Sequence, residues 1–526
     1  MSTLEMSTLV TFAKTKGFVY QGSEIYGGLA NSWDYGPLGA LLKENIKNLW
    51  IKEFVQKRKD MVLLDASIMM NPNVWVASGH VGSFSDPLME CKECHTRHRA
   101  DKLIEERWGT DVLQARDGII KKGDEILTQL KDLRNTKLVS FEEDWYFWEL
   151  HPQELKDLQE RAKLLNNLKK EIEENFNFLV NLKWLDIDKF SESVVRSLID
   201  CPSCWKRNWD NLKRFNLMLS TSQGTTEDGT ALVYLRPETA QGIFVNFPNI
   251  ARSTRKKIPF GVAQCGKAFR NEITPKNFIF RTREFEQIEI EYFCKPGTDA
   301  ELFETWLIDE GKFFTEVLGF KPEKVRFVEI PKEGLPHYSK RAWDFEYLFP
   351  FGWGEISTLA NRTDYDLKAH MALSKQDLSY FDPFDNTKYI PYVIEPSIGL
   401  SRLTLAAMCD AYDEIPGEEW TSKVVMRFAP QVAPIKVGIF PLVKKFAEQA
   451  NALYDLLSSH FVCEYDEAGT IGKRYQRADE IGIPYSICVE PENYDQGQVT
   501  VRDRDTGEQE IVKIESLIEW LKAKGC

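Results

Sequence analysis

The sequence predicts an α+β protein of several folding units. Three observations predict it: strand-like alternation from Phe215 to Tyr292, an amphipathic helical stretch from Leu38 to Lys59, and a strand–helix–strand–helix succession after Pro430. At about 150 residues per domain, 526 residues correspond to roughly three to four units. Apolar residues make up 43% and charged residues 28%, an ordinary globular balance that excludes wholesale disorder and a membrane-embedded body. No run approaches the roughly 18 to 20 apolar residues of a membrane span, and Met1 to Val10 lacks a basic start before an apolar segment, so the expected compartment is the cytosol. The formal charge of -13 repels polyanions at long range, so nucleic-acid contacts have to come from local basic surface.

Taken in chain order, Tyr35-Gly36-Pro37 is a turn and helix-start signal, after which Leu41, Leu42, Ile46, Leu49, Trp50 and Val55 recur near the 3.6-residue period. Met61 to Met70 reads as a strand, broken by Asn71-Pro72-Asn73 because proline lacks the ladder N–H. Between Glu90 and Asn211 two cysteine pairs bracket Lys- and Glu-rich helical sequence, with Leu155, Leu158, Leu165, Leu168 and Ile172 at helical spacing, which marks an inserted module. A hairpin is predicted from Gly261–Arg270 and Phe280–Tyr292 around the loop Asn271–Ile279, then a strand at Tyr389–Pro396 and a helix at Gly399–Ala411. The tail predicts strand Lys436–Phe440, helix Val443–Ser459, strand Val462–Asp466 and helix Gly472–Ile481, then further strands and a last helix. The expected division is a core in two parts, 1–89 and 215–429, an insertion at 90–214 and a C-terminal α/β domain at 430–526.

The densest chemical signal lies between Arg252 and Arg283, where nine Lys or Arg residues (Arg252, Arg255, Lys256, Lys257, Lys267, Arg270, Lys276, Arg281, Arg283) face one acid, Glu272. Guanidinium groups suit phosphate because they stay charged and can bind two oxygens. Interleaved Phe269, Phe278, Phe280 and Phe285 favour a walled polyanion site over a solvated basic face. Alternate strand residues share a face, so Arg281, Arg283, Phe285, Gln287, Glu289 and Glu291 are expected together and Ile288 and Ile290 opposite. Cations, an aromatic ring and then carboxylates form an order that could read a nucleotide and then an ammonium group. From Phe285 to Glu289 is about 13 Å of strand, near the span from an adenine to an aminoacyl group.

Phe269-Arg270-Asn271-Glu272 resembles motif 2 of class II aminoacyl-tRNA synthetases, and Gly399-Leu400-Ser401-Arg402 after Glu395-Pro396-Ser397 resembles motif 3. The helix from Leu38, the strand near Met61 and Pro72 look like motif 1, the dimer-forming element. Arg236 to Gly242, Phe280 to Gln287 and Asn361 to Leu367 are similar to the dimeric type of glycyl-tRNA synthetase, and the tail from Pro430 resembles the class IIa anticodon-binding domain. The fold this implies is an antiparallel catalytic sheet flanked by helices, carrying the insertion and the C-terminal domain. The implied reaction uses ATP and Mg²⁺ to make glycyl-adenylate and then charges tRNA(Gly), in a homodimer with no membrane or DNA partner.

The resemblance also assigns residues. Arg270, Glu272 and Arg402 are the implied catalytic groups: Arg270 bridging α-phosphate and amino-acid carboxylate, Glu272 at the adenine edge, Arg402 over the adenine and near the γ-phosphate. Phe285 would stack on the adenine. Asn271, Phe280, Arg281, Thr282, Arg283, Glu284, Glu355, Ile356, Gly399, Leu400 and Ser401 complete the implied ATP site. Glu238, Glu289, Glu395 and Ser397 match the glycine pocket, with Glu286, Gln287, Ile288, Pro396 and Ile398 alongside, and Arg99 matches a substrate-contacting position in the insertion. Attack of a carboxylate on phosphorus needs charge stabilisation and positioning rather than a protein nucleophile. No amino acid smaller than glycine competes, so no editing domain is expected.

Cys91-Lys92-Glu93-Cys94 and Cys201-Pro202-Ser203-Cys204 have the two-knuckle spacing of a structural thiolate zinc site, with free thiols as the other reading and His95 and His98 as spare ligands. Trp205 stands where a Gly often follows such a knuckle. Gly469 to Arg474 lacks the first Gly and the Ser/Thr of a phosphate loop, and Ser374-Lys375 lacks the His-containing partner of a class I synthetase. His80 and His337 read as isolated structural histidines. Lys473 and Arg477, four apart on a helix that also carries Arg474, could face RNA. Two alternatives stand beside the main reading: activation of another small amino acid, and a synthetase-derived RNA-binding subunit, which would be expected to lose Arg270 or Arg402.

Overall fold

The computed structural model describes residues 4–109, 187–224, 232–272, 277–416 and 422–526, with short pieces at 117–118 and 121. The leucine stripe between Leu155 and Ile172, and Lys276, lie outside the described residues. The chain forms two compact units, one of residues 84–217 and one of the segments before and after it.

In the larger unit helix α1, Pro37–Ile51, begins with proline at a position whose N–H has no helical partner, and buries Leu38, Leu42, Ile46 and Trp50. A Cβ on Gly39 would lie 1.9 Å from the Phe18 carbonyl oxygen, so glycine permits the close approach of helix and chain there. The helix widens into a π-type turn at Lys52–Gln56 instead of continuing evenly to Lys59. The strand predicted from Met61 to Met70 forms a ladder only at Met61–Leu63 (β1), with a single isolated bridge from Met69 to Leu235 further on. Beyond it the chain serves side chains instead: the Ala66 carbonyl accepts from Arg236 at 2.7 Å.

Strand β1 edges a seven-stranded sheet with β2 (Phe260–Phe269), β3 (Glu284–Cys294), β4 (Val325–Glu329), β5 (Arg341–Phe349), β6 (Gly352–Thr363) and β7 (Tyr392–Gly399), in the order β4-β5-β6-β7-β3-β2-β1. Its ladders are antiparallel except that β1 runs parallel to β2. Helices α2 (Ala240–Thr254), α3 (Asp299–Lys312), α4 (Tyr365–Ser374) and α5 (Leu400–Ala411) flank it. Trp50, Phe54, Trp306 and Phe313 stack edge and face at centroid separations of 5.3 to 5.7 Å, anchoring α1 and α3 in one aromatic core.

The β2–β3 hairpin forms in the expected register, with Phe285 opposite Ala268 and Glu289 opposite Gln264. Strand β3 begins at Glu284, however, so Arg281 and Arg283 precede the ladder and do not share its alternation. Phe278–Phe280 make a single 3-10 turn, and the backbone of Arg283 is engaged by Asn31 and Arg270. Within β3 the alternation holds: Ile288 and Ile290 enter the main core, while Phe285, Gln287, Glu289 and Glu291 take the other face.

The C-terminal part builds a five-stranded sheet from Val437–Pro441, Cys463–Tyr465, Tyr485–Val489, Gln498–Asp503 and Gln509–Lys513, with its own core around Ile439, Leu453, Leu457, Ile487 and Leu521. Its first helix starts as a 3-10 turn at Lys444–Phe446 before Ala447–Ser458.

The smaller unit carries a three-stranded sheet of Ser85–Glu90, Arg97–Arg99 and Lys213–Asn216, packed with helices Ala100–Trp108 and Ile187–Leu198 around Met89, Ile104, Phe190, Val194 and Trp209. Pairing of its first and last strands is why it runs from Phe84 to Leu217, slightly wider than 90–214. No described helix is long and apolar enough to cross a membrane.

Candidate active site

On the face of β3 that carries Phe285, Gln287 and Glu289 lies a cavity of about 330 Å³. Arg270, Arg281 and Arg402 line it together with Glu238, Glu289 and Glu395, so the cations and the acids predicted from separate motifs share one space.

Arg270 leaves the end of β2; its Nε donates to the Pro237 carbonyl at 3.1 Å and its guanidinium lies 5.3 Å from the Phe285 ring centre. Glu272 is buried, with Arg281 Nη1 3.4 Å from its carboxylate and Arg283 Nε donating to its carbonyl at 3.2 Å. Arg402, in the first turn of α5, donates to the Phe280 carbonyl at 3.3 Å and to the Glu355 carboxylate at 2.9 Å, and sits 4.5 Å over the Phe280 ring. Both arginines are thus stacked on aromatic rings and held by backbone carbonyls. That leaves each little freedom to reorient. Glu286 is ion-paired to Lys43 of α1, which ties the motif 1 helix to the cavity wall.

The acidic part is built around a buried arginine that the motif reading did not single out. Arg362, at the end of β6, donates from Nε and Nη2 to Asp366 at 2.8 Å each and from Nη1 to both oxygens of Glu395 at 2.9 and 3.0 Å. The Tyr338 ring covers it at 4.1 Å. Glu289 accepts from the Thr239 backbone N–H at 2.9 Å, from the Thr239 hydroxyl, and from the Ser397 hydroxyl at 2.8 Å. Glu238 accepts from Gln241 at 2.9 Å and lies 3.3 Å from His80 Nε2. His80 is therefore not isolated: it pairs with the pocket-lining Glu238 and is hydrogen-bonded to Ser78 at 2.8 Å. His337 keeps the structural reading, against the Tyr365 hydroxyl at 3.0 Å.

Crowding sets the protonation pattern. Burial and the neighbouring carboxylates push Glu395 up to about 8 despite Arg362, and burial with Glu238 raises Glu289. Glu238 is held below the ordinary range, because His80 and Arg362 outweigh its own burial. Glu291, fully buried and opposite Glu395 by strand register, is raised well above the usual value by burial and by that neighbour. At the other part, burial and Glu355 push Asp344 up to about 6.

Thr282, Glu286, Gln287, Gly399 and Ser401 also line the cavity. Ile288, Ile356, Ile398 and Leu400 instead enter the hydrophobic core, so only their backbone can face a ligand. Pro396 is buried on β7, Asn271 follows Arg270 at the hairpin bend, and Glu284 points outward to Lys267. Arg99 lies in the smaller unit, gripped by Asp86 at 3.0 Å and Asp101 at 2.6 Å. Tyr338, Asp344, Thr358 and Arg362 line the pocket without a role assigned from the sequence, and Thr239, Asp366 and His80 hold its lining residues Glu289, Arg362 and Glu238. A signal existed for one pair: Arg362 and Asp366 stand four apart inside the string Asn361 to Leu367, where strand passes into helix.

In the smaller unit the four paired cysteines converge, their Sγ atoms within 4.8 Å of one another, with Cys91–Cys204 at 3.6 Å and Cys94–Cys201 at 3.7 Å. Ligands at about 2.3 Å around a tetrahedral zinc are about 3.8 Å apart, so the four sulfurs fit one ion. His98 Nε2 stands 3.8 Å from Cys201 Sγ and 3.1 Å from the Thr96 hydroxyl, outside that set of four. In the C-terminal part, on the helix Ile471–Ile481, Arg474 is buried on the Pro441 and Gly469 carbonyls, whereas Lys473 and Arg477 are exposed, Arg477 paired with Asp466.

Comparison with known proteins matches this layout segment by segment. Residues 224–412 match the class II tRNA synthetase core domain (G, H, P, S and T), residues 436–524 an anticodon binding domain, and residues 86–217 insertion domain 1 of glycyl-tRNA synthetases. The glycine–tRNA ligase of Acetivibrio thermocellus is 48% identical over 521 residues, covering 99% of this chain and 98% of that protein. The chain belongs to the glycine–tRNA ligase family. Glycine–tRNA ligases of Clostridium acetobutylicum (49% over 519 residues) and Ruminiclostridium cellulolyticum (47% over 519 residues) are alike over 99% of this chain and 98% of their own lengths. The family's motif arginines are both present at the cavity, which removes the ground for reading the chain as a relic that has lost them.

Removing a buried cation from between two carboxylates is costly because both are left desolvated and unpaired. Arg362→Met is expected to destabilise the fold by about 3 to 5 kcal/mol, read as a fall in the midpoint of chemical unfolding; an unchanged midpoint would show that the network contributes nothing.

Proposed function

We propose that the chain activates glycine with ATP to glycyl-adenylate and passes the glycyl group to the 3′-terminal ribose of tRNA(Gly). The observation that carries this reading is the shared cavity, with phosphate-binding arginines and ammonium-binding carboxylates side by side. In the first step a glycine carboxylate oxygen forms a bond to the α-phosphorus of ATP, and the bond from that phosphorus to pyrophosphate breaks. Arg270 is assigned to the α-phosphate and glycine carboxylate, where charge builds, and Arg402 to the γ-phosphate and one face of the adenine. Phe285 offers a stacking surface, and the buried Glu272 suits the exocyclic amine at the adenine edge. Mg²⁺ brought with ATP supplies further neutralisation of the phosphates. No side chain has to act as nucleophile.

Glu289, locked by three hydrogen bonds, and Glu238 and Glu395, each held by partners of its own, form a rigid acidic nest for the glycine ammonium. Their geometry is bound before substrate arrives, so little ordering is left to be done on binding. We assign Arg99 to a substrate contact from the insertion, residues 436–524 to the anticodon, the motif 1 helix to a homodimer interface, and the cytosol as the compartment. The cysteine cluster is assigned a structural Zn²⁺: four thiolates leave no open position for catalysis, and the ion would fasten the ends of the insertion to each other.

ATP–pyrophosphate exchange screened over all twenty amino acids is expected to respond to glycine; alanine or serine outperforming it would reject the pocket assignment. Arg270→Ala should abolish that exchange with the oligomeric state unchanged, and retained exchange would remove its role. Because burial and the neighbouring carboxylates push Glu395 up to about 8 and the ammonium needs the ionised form, binding is coupled to proton loss. The KM for glycine should therefore fall, by up to about tenfold per unit, as pH rises from 6 to 8 and then level; a rising KM over that interval would contradict the assignment. Elemental analysis of protein purified without added metal is expected to find about one zinc per chain, and a value near zero would leave free thiols as the reading.

A further inference from the structure

The two cysteine knuckles are built alike, and the position after each is conformationally expensive. His95 and Trp205 follow the second cysteine of their pairs, have φ of 57° and 60°, and each donates its backbone N–H to the first cysteine's carbonyl at 2.8 Å. That left-handed conformation favours glycine, since a Cβ is crowded there. Here it holds two flat rings. Trp205 is 81% exposed, so packing does not repay the backbone conformation, and the His95 side chain is 77% exposed. Neither the turn nor the core explains an indole at this point, and strain held without local return marks a functional position.

The surroundings indicate what the ring is for. Around it, residues 200–214 carry Lys206, Arg207, Lys213 and Arg214 against Asp200 and Asp210. Lys206 and Arg207 follow the tryptophan directly and are exposed, Lys206 3.4 Å from Glu93 and Arg207 donating to Asp200 at 2.9 Å and to the Ser197 carbonyl at 2.6 Å, surface pairs that a phosphate can compete for. An exposed aromatic face beside cations is the combination that holds an unpaired base, the ring stacking on it while the cations meet the phosphates.

We propose that Trp205 is a stacking platform for an unpaired nucleotide of the tRNA. The proposal rests on the assignment of tRNA as a substrate, and it adds a contact that none of the synthetase motifs contains. Its indole would lie flat on one base, with Lys206 and Arg207 at the adjoining phosphates, so the insertion would hold tRNA through stacking and charge rather than through base-edge hydrogen bonds.

Trp205→Gly is the decisive variant, because glycine suits the backbone conformation and the knuckle should fold at least as readily as in the parent. In the full-length enzyme it is expected to raise the KM for tRNA roughly tenfold, with glycine-dependent ATP–pyrophosphate exchange and bound zinc unchanged, while Trp205→Phe keeps most of the parent's affinity. A parent-like KM for tRNA in Trp205→Gly overturns the proposal, as does an equal loss of exchange and charging, which would place the residue in adenylation. Filter binding of tRNA separates this from the underlying reading. Weakened binding by Trp205→Gly, in a protein whose parent charges no glycine, would keep the platform and reject the glycine assignment; unweakened binding with normal glycine charging would do the reverse.

Discussion

A guanidinium shared between two buried carboxylates is the interaction on which the site depends. Arg362 spans Asp366, at the start of α4, and Glu395, on β7, and so joins a strand end, a helix start and the strand that carries Ser397. Without a cation there, Glu289, Glu291 and Glu395 would crowd like charges within one low-dielectric wall. With it, part of that charge is offset by the guanidinium, and burial raises Glu291 and Glu395 above the ordinary carboxylate range.

The sheet makes that concentration possible. Strand β3 sends its isoleucines into the main core and its acids to the opposite face, so the residues that hold the strand in place are not those that meet ligand. Charged groups at the cavity are then held by neighbours: Arg270 by the Pro237 carbonyl, Arg402 by Glu355 and the Phe280 carbonyl, Glu289 by Thr239 and Ser397. Adenylate formation needs positioned charge more than it needs a reactive side chain, and this second layer supplies the positioning. The smaller unit follows a different logic. Four convergent sulfurs join its two cysteine knuckles at the edge of an apolar cluster that includes Cys91 and Cys201 themselves.

Much of this was legible in the chain before any coordinates. Periodicity located α1, the β2–β3 hairpin, α5 and the C-terminal alternation, because each buries one face and so leaves a repeating apolar signature. Boundaries were less secure: the run from Met61 to Met70 contained a strand of only three residues and one isolated bridge at Met69, with Ala66 giving its carbonyl to a side chain from a distant segment. The same tertiary contact logic moved the start of β3 from Phe280 to Glu284.

The amino-acid order alone determined which chemistry the chain carries, since guanidinium, aromatic and carboxylate groups at motif spacing are visible without folding, and their local strand or helix phase follows from period. Tertiary structure decided which of those groups act together. The neutralisation of Glu395 by Arg362, the contact of His80 with Glu238 and the withdrawal of Ile356 and Leu400 into the core all join residues distant along the chain. Such pairings depend on how the sheet and helices pack, and a partner brought near only by packing leaves no periodic trace in the sequence.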